Sequence, residues 1–263
     1  MFININELIS TLQKTPDGGE TRFWYDKKSR LRFSQNAKQL ANTDYSYTKY
    51  DNLGRITEVG ELNNLDTLQV NAQTYPATGN ERERTITVYS AAANGITYFN
   101  NQPQRYLQNR VSYSYTDVDG DLATTTDKVS TFFSYDVSGN VEWVIQEQPQ
   151  LGKSYIAYEY DLVSGSVLQV SYNEELPDKF FHRYEYDTDK RIKKVFTSRY
   201  KPSPLGGEPE RGDNDATYTY YPHGPLKRSI IGEDSVQGTD YVYTIQGWLK
   251  GMNHSSLDVD NDP

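Results

Sequence analysis

The chain has 263 residues, no cysteine and a formal net charge of −9 at pH 7. The missing cysteines exclude disulfides, zinc–thiolate sites and thiol nucleophiles. The acidic balance argues against nucleic acid or an anionic membrane as the main partner, because phosphate binding needs clustered Lys and Arg. No apolar run approaches the roughly 20 residues of a membrane span. With 23 Tyr among 263 residues, a residue whose ring packs while its hydroxyl reaches water or a partner, the composition predicts a wide, thin β structure.

Two interpretations fit residues 1–13. Leu8, Ile9 and Leu12 would share one face of a short helix, but the segment also fits the second half of a repeat, which is the interpretation we favour. Pro16-Asp17-Gly18-Gly19 predicts a turn from its residue types. The N-terminus lacks the charged start and long apolar centre of a signal peptide, so export would need another route or a longer protein.

A Tyr-x-Tyr-Asp phrase followed by a turn and a second strand recurs down the chain. In residues 45–60, YSYTKYDNLGRITEVG, alternating Tyr and Ile suit a half-buried strand. Asp51 can accept a backbone hydrogen bond from two residues on, and Gly54 can take a positive φ. Seven copies place these residues at the turn: Tyr25 and Asp26; Tyr50, Asp51 and Gly54; Tyr135, Asp136 and Gly139; Tyr160, Asp161 and Gly165; Tyr186 and Asp187; Gly224; Gly247.

Individual copies depart from the phrase. Ser29 and Lys190 replace the turn glycine, so the turn at Ser29 is expected to differ in detail, and Tyr221 and Thr244 replace the aspartate. Residues 80–131 are an eroded region in which 84–89 and 111–115 alternate like strands without a clean turn between them. Asn94-Gly95 predicts a tight hairpin turn there.

A period of 25 or 26 residues predicts a stacked repeat architecture. A lone hairpin is only marginally stable, so successive hairpins must pair edge to edge. We therefore predict an all-β fold of stacked antiparallel hairpins in one curved, spiralling sheet over residues 1–263. Residues 1–20 would be a lead-in or partial repeat, 201–216 a loop, and 217–253 the last segment.

The quoted phrases resemble the YD-repeat, or Rhs, family. The similarity covers residues 20–253, and residues 220–253 resemble the segment that precedes the family's core domain. The resemblance implies a β-shell that encloses a C-terminal toxin, which bacterial members release by self-cleavage and export. It implies as partners the remainder of the shell, the core, the toxin cargo and other secretion components, with a secreted or cell-surface location and no enzymatic activity, cofactor or metal.

Acidic and other motifs give weaker candidates. Asp117, Asp119 and Asp121 have the alternation of a calcium loop, but its Gly and terminal Glu positions hold Leu122 and Lys128, so an exposed polar loop is the favoured interpretation. Asp258, Asp260 and Asp262 repeat this spacing near the C-terminus, where solvated acidic side chains are again the favoured interpretation. Arg211-Gly212-Asp213 matches an integrin-binding tripeptide, which is expected by chance in such a loop. The three histidines form no metal-ligand pattern, and His223 is interpreted as a turn residue: His182, His223 and His254.

Two further functions stay open at this point. Exposed Tyr45, Tyr47 and Trp143 could form the aromatic surface of an adhesin or glycan-binding module, although aromatic pairing within the sheet and packing of Trp143 and Trp248 are favoured. A hydrolase would need paired carboxylates in one pocket, whereas the repeat aspartates are expected to cap turns. A strip with open edges is expected to self-associate or to bind a larger complex.

Overall fold

The computed structural model describes residues 10–63, 75, 81–117, 128–201 and 212–253. The fold is all-β, as the repeat predicts. The strands are β1 (Ser10–Thr15), β2 (Gly19–Tyr25), β3 (Leu31–Gln35), β4 (Tyr45–Tyr50), β5 (Ile56–Leu62), β6 (Glu81–Tyr89), β7 (Thr97–Tyr98), β8 (Gln102–Pro103), β9 (Val111–Asp117), β10 (Val129–Tyr135), β11 (Val141–Gln148), β12 (Gly152–Tyr160), β13 (Val167–Tyr172), β14 (Phe180–Tyr186), β15 (Ile192–Ser198), β16 (Asp213–Tyr220), β17 (Leu226–Ile231), β18 (Gln237–Tyr243) and β19 (Leu249–Met252). A short helix, α1 (Ala37–Asn42), and a 3-10 segment (Phe99–Asn101) complete the described elements.

The chain divides into two compact units. The first contains Met1–Asn140 and Ile145–Lys153, and the second contains Val141–Val144 and Ser154–Pro263. In the first unit the order β1-β2-β3-β4-β5-β6-β9-β10 is antiparallel throughout. In the second, β12 to β19 pair in chain order and are also antiparallel.

Aromatic side chains form the core of the first unit. Trp24, Phe33 and Tyr47 lie opposite one another on β2, β3 and β4, and Tyr45 and Leu62 close the cluster. Tyr47 is also opposite Gly60, where an added Cβ would lie 3.0 Å from the Tyr47 hydroxyl. The missing side chain at Gly60 therefore makes room for this buried ring.

The buried face of the second unit is partly polar. Besides Phe181, Phe196 and Ala216, it contains buried Gln169 and Ser171. The Gln169 amide donates to the Ser171 hydroxyl at 3.1 Å, so part of this interior is held by polar contacts. Small and polar buried side chains agree with the low apolar content of the sequence.

The N-terminal segment is a strand over the residues that the structure describes. Residues 10–15 pair with β2 through the predicted turn at 16–18, so the helix interpretation is wrong for 10–13, and residues 1–9 lie outside the described part. The sequence interpretation missed α1. Its signal was present, since Asn36 and Gln39 form a reciprocal capping box.

A search of the described helices finds none that is both long enough and apolar enough to cross a membrane.

Candidate functional site

Each repeat turn is closed by the same two backbone hydrogen bonds. In the second copy, the Asp51 amide donates to the Arg55 carbonyl at 2.9 Å and the Gly54 amide donates to the Asp51 carbonyl at 3.0 Å. Asp51 Oδ1 accepts the amides of Leu53 and Arg55, both at 2.9 Å. Gly54 has φ +85°, a conformation that glycine adopts without a Cβ clash.

The second carboxylate oxygen holds a side chain from the start of the returning strand. Asp51 Oδ2 accepts Arg55 Nε at 2.6 Å, and the equivalent pairs Asp26–Arg30 and Asp187–Arg191 lie at 2.7 and 2.8 Å. In other copies the carboxylate holds a different donor: Asp136 accepts from Asn140 Nδ2 at 2.9 Å, and Asp161 accepts from the amides of Val163 and Ser164.

The pKa of each turn aspartate lies below its ordinary value. Burial raises the pKa of Asp26 and Asp51, but the hydrogen bonds from Arg30 and Arg55 lower it by more. At Asp187 the backbone hydrogen bond from Arg191 is the largest cause of the lowered pKa. These carboxylates are therefore ionised acceptors of hydrogen bonds within the turn, as capping requires.

The arginine of one hairpin lies over the tyrosine ring of the next. The guanidinium carbon is 4.5 Å from the ring centroid for Arg30 on Tyr50 and 4.4 Å for Arg191 on Tyr220. The pairs Arg55–Tyr89 and Arg110–Tyr135 lie at 4.2 and 5.4 Å. This cation–π contact joins neighbouring hairpins, and the turn aspartate holds the guanidinium at Arg30, Arg55 and Arg191.

The hydroxyl of the same tyrosine completes the connection. It donates to the backbone carbonyl of the residue that follows the arginine position in the preceding hairpin. Six pairs share this geometry at 2.7–2.9 Å: Tyr50 to Leu31, Tyr89 to Ile56, Tyr135 to Val111, Tyr160 to Val141, Tyr186 to Val167, and Tyr220 to Ile192. We call the turn aspartate, the residue it holds and the tyrosine of the next hairpin the turn lock.

A β-bulge accompanies the lock. Tyr50 is opposite Ile56 and Lys49 is opposite Glu58, so Thr57 is the extra residue directly after the acceptor carbonyl. A bulge interrupts the ladder and leaves its residue unpaired. The same register shift makes each of these further residues the extra residue of a bulge: Arg32, Ser112, Leu168, Lys193, Lys227 and Lys250. At five of these seven bulges, a tyrosine hydroxyl therefore supplies a donor where the ladder is disrupted.

The structure adds an eighth hairpin that the sequence interpretation missed. Tyr89 is opposite Val111, the Ser90 amide donates to the Arg110 carbonyl at 3.1 Å, and the Ser90 hydroxyl accepts the Asn109 amide at 3.0 Å. β6 and β9 are thus one hairpin whose turn holds an insertion with β7 and β8. The sequence contained a signal for this hairpin. Tyr89-Ser90 and Arg110-Val111 match the Tyr50-Asp51 and Arg55-Ile56 positions of the second copy, but the insertion separates them.

Two predictions about turns in this sheet are wrong. Asn94-Gly95 forms a turn, but this turn lies within the insertion and does not connect two paired strands. The flanking strand β6 pairs with β9, after the insertion, so Asn94-Gly95 is not a hairpin turn. The Ser29 turn does not differ: Ser29 has φ +59° and its amide donates to the Asp26 carbonyl at 2.9 Å. Lys190 adopts the same turn conformation, with φ +64°, and its amide donates to the Asp187 carbonyl.

Copies without the aspartate keep the turn backbone. The Gly224 amide donates to Tyr221 and the Gly247 amide to Thr244, both at 2.9 Å. At Thr244 the hydroxyl replaces the carboxylate and accepts the Trp248 amide at 3.1 Å. The turn therefore depends on backbone geometry, and the aspartate adds the side-chain part of the lock.

The weak metal candidates are not brought together in the described part of the chain. Asp117 is fully buried at the end of β9 and pairs with Arg84 at 3.0 Å, so the prediction that it lies in an exposed loop is wrong. Asp119 and Asp121 lie outside the described residues, as do Asp258, Asp260, Asp262, Arg211 and His254. Among the described residues, no group of three metal-ligating side chains is found.

The remaining histidines and Asp213 take ordinary places in the sheet. His182 packs edge-on against Phe180 at 5.0 Å, and His223 stacks on Tyr221 at 5.2 Å at a turn. Asp213 begins β16 and is exposed.

The aromatic surface proposed for glycans is buried. Tyr45, Tyr47 and Trp143 are 6%, 2% and 1% exposed, so none of the three rings offers a face to a sugar. Trp143 packs as predicted, but Trp248 is 74% exposed, which overturns the prediction that it is a packing anchor.

Comparisons with known proteins give only distant likenesses. No protein-family model matches the chain, and no curated protein matches it. Among solved structures, TcdB2-TccC3-Cdc42 is similar at 13% identity and a TM-score of 0.35, over 90% of this chain and 13% of that one. A Tc holotoxin pore of Photorhabdus luminescens is 14% identical over 92% of this chain and 14% of that one, at 0.34.

A third structure, a porin-like protein from Bacteroides uniformis, is 10% identical over 94% of this chain and 86% of that one, with a TM-score of 0.34. This chain spans only about one eighth of the length of the TcdB2-TccC3-Cdc42 chain that it matches. TM-scores this low do not establish a common fold.

Proposed function

We propose that the chain is a structural, non-enzymatic wall segment of a β-shell that encloses another polypeptide for export or delivery. The observation that carries the proposal is the turn lock, in which a tyrosine hydroxyl ties six of the described hairpins to the following one in addition to the strand ladder. The repeat resemblance of residues 20–253 supplies the shell, the secreted or cell-surface location and the toxin cargo.

The side-chain chemistry supports a wall more than a catalytic surface. The carboxylates of the turn aspartates accept hydrogen bonds from their own turns, which is the role of a turn cap. Enclosure needs no proton transfer. It requires a sheet without gaps, and the tyrosine donors at five of the described bulges add a bond where the ladder is disrupted.

The test is whether a polypeptide that accompanies the protein is shielded by it. The protein would be purified from its source cells through a chromosomal affinity tag and then treated with protease across a urea series. We expect an accompanying polypeptide to resist digestion until the urea concentration that unfolds the sheet.

A lock variant and a matched control sharpen this test. Tyr186→Phe should lower the urea concentration for wall unfolding and for cargo digestion together. Tyr200→Phe removes a hydroxyl from a ring that is 79% exposed and should move neither. Enclosure would be contradicted if no polypeptide accompanied the protein. It would also be contradicted if the accompanying polypeptide were digested at urea concentrations at which the wall is still folded.

A further inference from the structure

The turn Asn94-Gly95, in the insertion between β6 and β9, is open to water. Both residues are exposed. Gly95 has φ +71°, and a Cβ added to it would meet no atom within 4 Å. Among the hydrogen bonds made by the described residues, none involves the Asn94 side chain or the Gly95 amide. A free carboxamide and a free backbone N–H therefore stand next to each other in the chain.

An asparagine that precedes a glycine can react with its own backbone, because no Cβ shields the nitrogen of the glycine. A bond forms between the Gly95 nitrogen and Asn94 Cγ, and the bond between Cγ and Nδ2 breaks. The proton lost by the Gly95 amide leaves with Nδ2 as ammonia. Water then opens the cyclic imide at either of its carbonyl carbons, which gives aspartate or isoaspartate.

We propose that Asn94 is a modification site at which the folded protein deamidates spontaneously through this cyclic imide. The reaction consumes only water and adds one negative charge to the insertion. Isoaspartate also carries the main chain through Cγ, which lengthens the backbone by one methylene. The proposal is independent of the wall function, because the chemistry requires no enclosed polypeptide.

A second acidic-glycine turn, Asp17-Gly18, shows how the fold can protect such a site. An Asp–Gly pair forms the same imide by loss of water. The Gly18 amide donates to Thr15 Oγ1 at 3.1 Å, and a Cβ added to Gly18 would lie only 2.7 Å from that oxygen. Because this hydrogen bond must break before the nitrogen can attack, folding should slow the reaction at Asp17 and leave Asn94 reactive.

The modification would act on a contact that holds the insertion to the sheet. The Ala93 amide donates to Gln104 Oε1 at 2.7 Å, and Gln104 Nε2 donates to the carbonyls of Ser112 and Phe133, both at 2.8 Å. Gln104 is 8% exposed, so these bonds are shielded from water. A main chain lengthened at residue 94 displaces the adjacent Ala93 amide, and the bond from Ala93 to Gln104 should weaken.

The test is to incubate the full chain at neutral and mildly alkaline pH and to follow residue 94 by fragmentation mass spectrometry that distinguishes aspartate from isoaspartate. We expect both products, formed faster at the higher pH because the attacking amide must lose its proton. The Asn94→Gln protein should lose the reaction, because its longer side chain closes a larger ring. An unmodified residue 94, or aspartate without isoaspartate, would overturn the imide route.

Matched controls separate the effect of the fold from that of the residue types. Asp17 should react several times more slowly in the folded chain than in urea, whereas Asn94 should react at a similar rate in both. Thr15→Val removes the acceptor of the Gly18 amide and should speed isomerisation of Asp17 in the folded chain. Folding that suppresses Asn94 as strongly as Asp17 would refute the proposal.

Hydrogen exchange at Ala93 tests the structural consequence by itself. The isoaspartate form, separated by ion exchange, should exchange the Ala93 amide faster than the unmodified protein. Equal exchange in the two forms would refute the effect on the Gln104 contact.

Discussion

Replacing Tyr186 with phenylalanine removes one hydroxyl from a turn lock and leaves the ring in place. The preceding hairpin has Ser166 at the arginine position, so no guanidinium lies over this ring from that position. The substitution therefore isolates the hydrogen bond to the Val167 carbonyl, which is 2.7 Å long. Burial raises the pKa of Tyr186, so the phenol stays protonated and donates at neutral pH.

The size of the effect follows from a neutral hydrogen bond at a partly buried site. Such a bond contributes a net 0.5–1.5 kcal/mol, roughly, and an acceptor left without a donor adds a desolvation penalty. We expect the free energy of unfolding to fall by about 1–2 kcal/mol. For a chain of this size, that corresponds to a fall in Tm of about 2–8 °C.

Urea unfolding followed by circular dichroism would measure the change, with hydrogen exchange at β13 and β14 as a local readout. Tyr200→Phe is the matched control, since Tyr200 is 79% exposed, and should change stability by less than about 0.5 kcal/mol. If Tyr186→Phe were as neutral as this control, the lock would not stabilise the hairpin junction.

Three further predictions concern single residues. Lys190→Gly should raise the free energy of unfolding by about 0.5–1 kcal/mol, because Lys190 has φ +64°; an unchanged or lower urea midpoint would contradict this. Arg84→Met should lower it by about 3–5 kcal/mol by leaving Asp117 buried without this partner, whereas Lys153→Met, at an exposed pair with side chains 35% and 43% exposed, should change it by less than about 1 kcal/mol; equal urea midpoints would refute the difference. Asp187 has a lowered pKa, chiefly through the Arg191 backbone hydrogen bond, so its stabilisation is present above the ordinary value of 3.8 and is lost as pH falls through the lower folded value. The urea midpoints of wild type and Asp187→Asn should therefore differ at pH 7 and converge in strong acid, and a constant difference would refute the assignment.

Much of the strand pattern was readable from the sequence because a tight turn is a local structure. Asp51 and Gly54 are three residues apart, and the contacts that close their turn lie within five residues of the chain. The period between copies then required neighbouring hairpins to pair, since one hairpin alone is marginal. Even the copies at Tyr221 and Thr244 follow this rule, because their turn glycines keep the backbone geometry.

The errors arise where contacts are distant in the chain. Ser90 and Arg110 close one turn across an insertion of strands, so no short phrase marks the hairpin. Asp117 is buried because Arg84 on the paired strand β6 neutralises it, whereas a local pattern of alternating acidic residues indicates a solvated loop. Trp248 was predicted to pack because it directly follows a turn glycine, but its side chain is exposed.

The sequence by itself determined the turns, the strand alternation and the all-β class, because each depends on residues within one hairpin. Only the tertiary structure decided why the repeat uses tyrosine. A ring alone would pack equally well as phenylalanine, but the hydroxyl meets a carbonyl in the preceding hairpin that is 19 to 33 residues away along the chain. That partner exists only once neighbouring hairpins have paired, and the bulge has placed the carbonyl within reach of the hydroxyl.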